Sequence, residues 1–305
     1  MRTILLWMAK NPWLKERLPR LPFVRRAVRR FMPGEDAESA FAAAATLAAT
    51  GQGILFTRLG ENLVELVEAE EVAAHYHGIL DRNAGLQRPI ALSVKPTQLG
   101  LDIDEAACLE HLRGLAARAD VTGTWLWLDM ESSAYVDRTL GLYERLKADH
   151  RNVGICLQAY LRRTPTDLRR LLPLEPAVRL VKGAYDEPAS IAWRARSEVD
   201  GAFQAAALVL AEAARDGRAR LALGTHDSGL VERISDFAEA VGVPRDRLEV
   251  HMLYGIRAGE LQRLQAAGFP ASTLIAYGKH WYPWYMRRLA ERPANVVFAL
   301  RQLLP

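Results

Sequence analysis

The sequence predicts an α/β chain in which eight parallel strands alternate with helices and close into a (βα)8 barrel, preceded by a helical segment. Three observations predict it. Short apolar runs recur eight times from residue 53 onward, with starts 24 to 42 residues apart. Each run ends in polar residues or glycine and is followed by an amphipathic helical stretch. The length, 305 residues with 50% of them apolar, suits one large core. Residues 1–50 are therefore expected to form a helical N-terminal segment and residues 51–305 the barrel domain.

In the opening segment Arg17, Arg20, Arg25, Arg26, Arg29 and Arg30 are interleaved with Leu18, Leu21, Phe23, Val24, Val28 and Phe31. A basic amphipathic helix lies on an anionic membrane or packs on its own protein, and packing is the commoner case. An alanine-rich helix follows Pro33 and Gly34, and the whole segment is expected to cap what comes next. The strands are read at GILFTRLG from Gly53, PIALSVKPTQLG from Pro89, TWLWLDME from Thr124 and NVGICLQAY from Asn152. The other four are VRLVKGAY from Val178, RLALGTHD from Arg220, LEVHMLYG from Leu248 and STLIAYG from Ser272. His75 to His77 fall in a helical stretch and are expected at the surface. The last helix opens within YGKHWYPWYMRRLAE, Tyr277 to Glu291.

Several function classes lack their signals. A net charge of +4 and a pI near 9.1 are too mild to argue for nucleic acid. There is no GxxxxGK[ST], paired CxxC or HExxH, and Gly51 and Gly53 lead into a strand instead of following one. Two cysteines make no disulfide framework, which points to a reducing, cytoplasmic setting, and Cys156 reads as core. No apolar run approaches the length of a membrane span, so a soluble or peripheral protein is expected.

Chemistry-bearing side chains gather at the C-terminal ends of the runs, the face on which barrels of this type carry their sites. They are Arg58 and Glu61, Lys95, Asp129, Gln158 and Tyr160, Lys182 and Tyr185, Thr225 and His226, and Tyr254. Lys95 reads as a charge partner for a ligand or a salt bridge, and Asp129 as a rim carboxylate or a plain acceptor. Arg179 is read as beginning its strand. Gly183 and Ala184 remove bulk, either to let a ligand approach the backbone or to make a tight turn. His226 alone does not make a metal site. In the last helix the adjacent guanidinium forks of Arg287 and Arg288 suit a carboxylate or phosphate.

Taken together, Lys95, LDME at 128, QAYLRR at 158, RLVKGAYDE at 179, THD at 225, MLYG at 252 and YPWYMRRLAERPAN at 282 resemble the proline dehydrogenases in their single-activity bacterial form. The resemblance implies a distorted TIM-type barrel holding FAD noncovalently over its C-terminal face. It implies oxidation of L-proline to Δ1-pyrroline-5-carboxylate, with electrons passed to a membrane quinone through at least transient contact with the inner membrane. It also implies roles. Arg287, Arg288 and Lys95 clamp the proline carboxylate; Tyr185 and Leu253 wall its pocket; Glu61 pairs with the second arginine in the open site. Asp129 is the active-site carboxylate and Arg179 sits near the reactive edge of the flavin. Gln158, Lys182, Gly183, Ala184, Thr225 and His226 contact FAD, with a backbone contact from Met130. Ser272, Leu274 and Trp284 depart from the pattern, which bears on the choice between proline and hydroxyproline.

Two other readings stay open on the residues alone. One is a class I aldolase with Lys182 as its Schiff-base nucleophile. The other is a catalytically silent barrel that binds an acidic ligand through the arginine helix.

Overall fold

The computed structural model describes residues 7–8, 11–18, 21–60, 63–84, 86 and 88–291. All eight strands lie on the apolar runs: β1 (Gly53–Arg58), β2 (Ala91–Val94), β3 (Leu126–Leu128), β4 (Val153–Gln158), β5 (Ala177–Val181), β6 (Arg220–Gly224), β7 (Leu248–Leu253) and β8 (Ala271–Tyr277). Each pairs in parallel with the next in sequence, and β1 pairs with β8 from Gly53 opposite Ser272 to Arg58 opposite Tyr277. The barrel is closed and leaves no free edge. Strands covered by helices outside and by side chains inside are buried on both faces, which is why they read as near-continuous apolar runs. Every residue of β4 is buried.

The helices are α1 (Pro12–Arg17), α2 (Pro22–Val28), α3 (Ala37–Ala48), α4 (Leu66–Asp81), α5 (Glu105–Val121), α6 (Val136–Asp149), α7 (Thr164–Leu171), α8 (Arg196–Arg215), α9 (Ser228–Ala240), α10 (Ala258–Ala266) and α11 (Trp281–Glu291). Short polar side chains start several of them. Asp36 accepts from the Ser39 N–H at 2.7 Å, and Asp104 from the Ala106 and Ala107 N–H groups, each satisfying a donor the helix leaves unpaired.

The barrel departs from regularity at its seam. In a regular barrel each strand's following helix joins the outer ring. Here α3 packs against both β1 and β8, with Ala40 and Ala44 buried in the main core, so a helix that precedes the barrel closes the ring. The helix after β8 goes elsewhere. Trp281, Tyr282, Tyr285, Met286 and Leu289 of α11 form a separate apolar cluster with Val28, Phe31, Met32, Leu59 and Ala276. The Trp281 indole N–H donates to Glu35 at 2.9 Å, tying α11 to the N-terminal segment. That basic segment thus packs on its own protein through its apolar residues, while Arg26, Arg29 and Arg30 face outward.

One histidine of the pair on α4 corrects the sequence reading: His75 is helical but faces the barrel wall instead of solvent, while His77 is half-buried beside Gly114 of α5. Tyr76 is fully buried and its hydroxyl accepts from the Arg58 N–H at 2.9 Å; His75 is half-buried with Nε2 2.8 Å from the Tyr277 hydroxyl. Burial, with Arg58 nearby, lowers the His75 pKa to about 4.

Inside the barrel, Leu55, Trp127, Ala177 and Ala222 form an apolar plug. Gly154 makes room for it, since a Cβ there would lie 2.5 Å from the Trp127 ring. At the N-terminal end Arg220 grips Glu249 with two hydrogen bonds of 2.5 and 2.8 Å and stacks 4.1 Å from the Trp125 ring centroid.

Gly255, just past β7, has φ +71°, and a Cβ on it would lie 1.5 Å from the Arg30 carbonyl oxygen. Gly255→Ala is expected to push the N-terminal segment off the end of β7 and to cost about 2 kcal/mol or more in urea unfolding. Gly201→Ala, in mid-α8 with nothing within 4 Å of the new methyl, should instead be neutral or stabilise by up to about 1 kcal/mol.

Candidate functional site

A cavity of about 970 Å³ opens at the C-terminal ends of the strands, at the upper end of the range that small-molecule and cofactor sites occupy. Its floor holds a buried ion pair. Arg179 is only 4% exposed, and its Nη2 donates to Asp129 and, at 2.7 Å, to the Ser93 hydroxyl. Ser93 in turn donates to Asp129 at 2.6 Å. Burial opposes the charge on Arg179, but the adjacent Asp129 carboxylate outweighs it and raises the guanidinium pKa above its ordinary value. The reading of Arg179 as a strand start is corrected: it is the third residue of β5, which begins at Ala177. Alternation along the strand turns its side chain inward, beside Ala177, instead of leaving it at the entrance. Cys156 lines the same cavity, and burial pushes its thiol pKa up.

Gln158, the last residue of β4, is buried. Its Nε2 donates to the carbonyls of Met130 at 3.0 Å and Glu131 at 3.1 Å, and its Oε1 has no partner. The carboxamide is thereby held with an acceptor to spare. This also refines the expectation for Met130, whose carbonyl oxygen is taken by Gln158.

The β5 and β6 ends form one wall. Lys182 lies between two carboxylates, 2.5 Å from Asp200 and 3.1 Å from Asp227. Gly183 has φ +126°, and a Cβ there would strike the Tyr160 ring at 2.2 Å. Of the two readings offered for Gly183, the structure supports a backbone demand: its missing side chain accommodates Tyr160. Ala184 and Tyr185 follow it along the cavity wall. The loop beyond is pinned across the mouth by Glu187, which accepts from the Ser133 N–H and hydroxyl at 2.7 and 2.6 Å. Just past β6 the Thr225 hydroxyl accepts from the Asp227 N–H at 3.2 Å. His226 Nε2 accepts from the Leu253 N–H at 3.0 Å, so a neutral His226 carries its proton on Nδ1.

The opposite side is cationic and aromatic. Trp284 and Arg288, one turn apart on α11, line the cavity together with Lys95 and Leu253. Lys95 makes no ion pair among the described residues. Arg288 is half-buried. Two expected members, Glu61 and the side chain of Arg287, lie outside the described residues. Among those described, no cluster of three or more His, Cys, Asp or Glu residues is placed to hold a metal ion, and no helix is long and apolar enough to cross a membrane.

The structure thus brings into one cavity Asp129, Met130, Gln158 and Arg179 from the floor side, and Lys95, Lys182 to Tyr185, Thr225, His226, Leu253 and Arg288 around it. Sequence reasoning missed Ser93, Asp200 and His251. Asp227, inside the THD motif, and Glu187, the end of RLVKGAYDE, carried a local signal but no assigned role.

Known proteins resemble this chain in sequence and fold. The family model described as proline dehydrogenase matches residues 40–301. The chain is 32% identical over 304 residues to proline dehydrogenase 1 of Bacillus subtilis, covering 100% of this chain and 99% of that one. It is 32% identical over 308 residues to proline dehydrogenase of Deinococcus radiodurans, covering 99% and 97%. Among solved structures, proline utilization A from Bdellovibrio bacteriovorus, inactivated by N-propargylglycine, superposes with a TM-score of 0.81 at 20% identity. That likeness concerns the fold, over 95% of this chain and 38% of the longer one. With a family model spanning most of its length and full-length relatives above 30% identity, the chain belongs to the proline dehydrogenase family.

Proposed function

We propose that this protein oxidises L-proline to Δ1-pyrroline-5-carboxylate with FAD held noncovalently in the barrel mouth, and passes the electrons to a membrane quinone. The observation that carries the reading is the meeting, in one cavity, of a carboxylate-binding side and a polar floor. Arg288 and Lys95 supply the first, and Arg179, Asp129 and Gln158 the second. Residues 51–305 act as the catalytic barrel and residues 1–50 as an attached helical segment.

The residues present suit a flavin. Gln158 Oε1 is a buried acceptor with no partner, and Arg179 Nη1 is a buried donor with none, so the floor offers both halves of the hydrogen bonding that a ring bearing N–H and C=O groups requires. Gln158, Arg179, Lys182, Ala184, Thr225 and His226 would hold the cofactor, with Gly183 shaping the wall. When bound, a flavin accepts a hydride, and the protein's task is to orient the substrate against it and to tune its charge. Arg179 supplies positive charge to the floor and Asp129 fixes its orientation. Arg288 and Lys95, joined by Arg287, fix the substrate carboxylate as planar fork and point charge. Trp284, Tyr185 and Leu253 shield the ring from water, which strengthens those contacts. Glu61 pairs with an arginine of the clamp when no substrate is there.

Lys182 argues against the aldolase reading. A Schiff-base lysine needs an apolar or cation-neighboured setting, and this amine is gripped by Asp200 and Asp227. The membrane reading draws support from the N-terminal segment, where Trp7 and Trp13 are 60% and 62% exposed and lie on the same stretch of chain as the outward Arg17, Arg26, Arg29 and Arg30.

Purified protein should be yellow, lose its visible absorbance on anaerobic addition of L-proline, and regain it when mixed with anionic liposomes carrying a quinone, with which it should sediment. A colourless preparation that cannot be reconstituted with FAD, or a flavoprotein indifferent to proline, contradicts the activity. Loss of quinone or liposome response alone contradicts only the acceptor. Arg288→Met should raise KM for proline about tenfold or more while leaving flavin content and unfolding midpoint near wild type. An unchanged KM removes Arg288 from the clamp.

A further inference from the structure

His251, inside β7, belongs to no motif that points to proline or flavin. It is 5% exposed and lines the floor of the mouth cavity. Its neighbours settle its state. Nε2 lies 3.3 Å from Glu249 Oε2. Burial opposes the charge on Glu249, but His251 and Arg220 outweigh it and hold the carboxyl at about 2, so Glu249 is an acceptor at neutral pH. The His251 proton therefore sits on Nε2, and the lone pair on Nδ1 is left buried and without a partner, in a ring that lines the cavity. A buried acceptor of this kind is costly unless something in the site donates to it.

The charged groups around the ring are few and fixed. Glu249 is on the same strand, Arg220 reaches it from β6, and Arg179, paired with Asp129, from β5. On β8 its register partner is Ser272, which does not titrate. The Trp127 ring stands edge-on at 5.6 Å, with Arg179 and Arg220 within 5.5 and 5.4 Å of the same ring. Burial and the two guanidiniums press His251 toward the neutral form, against the pull of Glu249. A negative charge arriving in the mouth reverses that balance.

We propose that His251 is a proton acceptor coupled to reduction of the flavin in the barrel mouth, its Nδ1 taking up one proton for each electron pair delivered there. Oxidation of a secondary amine to an imine sends a hydride from carbon to the flavin and releases a proton from nitrogen. Two electrons reaching the mouth then draw in two protons instead of one, the first to the flavin and the second to Nδ1, where the Glu249 carboxylate steadies the imidazolium through Nε2. The proposal rests on the flavin reading above, which the visible spectrum tests by itself.

The test is an anaerobic redox titration of the holoenzyme at pH values from about 5.5 to 9, the window in which histidines titrate, read as protons taken up per electron pair. Wild type should pass from two protons to one across a break within that window. His251→Gln should remove the break or shift it by more than one pH unit, and Glu249→Gln should move it to lower pH by about one unit, because the imidazolium loses its counter-charge. Uptake of one proton throughout in wild type, or a break that neither variant moves, overturns the proposal. If His251→Gln does not accumulate as folded protein, wild type and Glu249→Gln decide the matter. Protein that never shows a flavin spectrum overturns the reading beneath it, a failure told apart from the others by its colour.

Discussion

The ion pair between Arg179 and Asp129 on the barrel floor is the interaction on which the site depends. A guanidinium so deeply buried persists only with a carboxylate and further hydrogen-bond acceptors around it, and removing one partner of such a pair typically costs about 3–5 kcal/mol. Ser93 completes the set, so β2, the end of β3 and, beyond β4, β5 are committed to holding one charge. Small residues make this feasible. Gly154 and Ala177 leave space for Trp127 beneath the pair, and Cys156 gives a compact wall beside it.

The irregular seam serves the same end. A helix after β8 that joined the outer ring would carry Trp284 and Arg288 away from the mouth. Because α3 closes the ring, α11 is released to lie beside the N-terminal segment and bring both residues to the cavity. The floor is thus set by strands and the clamp by a helix whose anchorage is largely aromatic, through Phe31, Trp281 and Tyr285. Rigid floor and separately anchored clamp suit a site that must hold a large group while a small one comes and goes.

Much of this was legible in the chain. Parallel strands buried on both faces announce themselves as apolar runs, and polar residues at their ends follow from the geometry of the barrel, so all eight strands and most cavity residues could be placed. What was not legible depends on strand origin and on distance in sequence. Arg179 reads as a strand start because a run such as VRLV does not say where pairing begins; Ala177 and Val178, the two residues before it, are already paired with β4. His75 and Tyr76 sit in a polar-looking helix, yet Tyr277, two hundred residues away, gives His75 its partner. Asp200 reaches Lys182 from α8 and Asp227 from the cap that precedes α9, and no local pattern links them. His251 hides among apolar neighbours on β7, and only burial and its orphaned nitrogen single it out.

In the proposed function one mouth cavity holds both the carboxylate clamp and the flavin floor. The most direct measurement is a crystal structure of the holoenzyme with a saturated five-membered ring carboxylate that mimics proline but cannot be oxidised. Its carboxylate is expected within hydrogen-bond distance of Arg288 and Lys95, with its ring between α11 and a flavin lying over Arg179. A carboxylate bound away from α11, or a flavin held outside this cavity, would contradict that function.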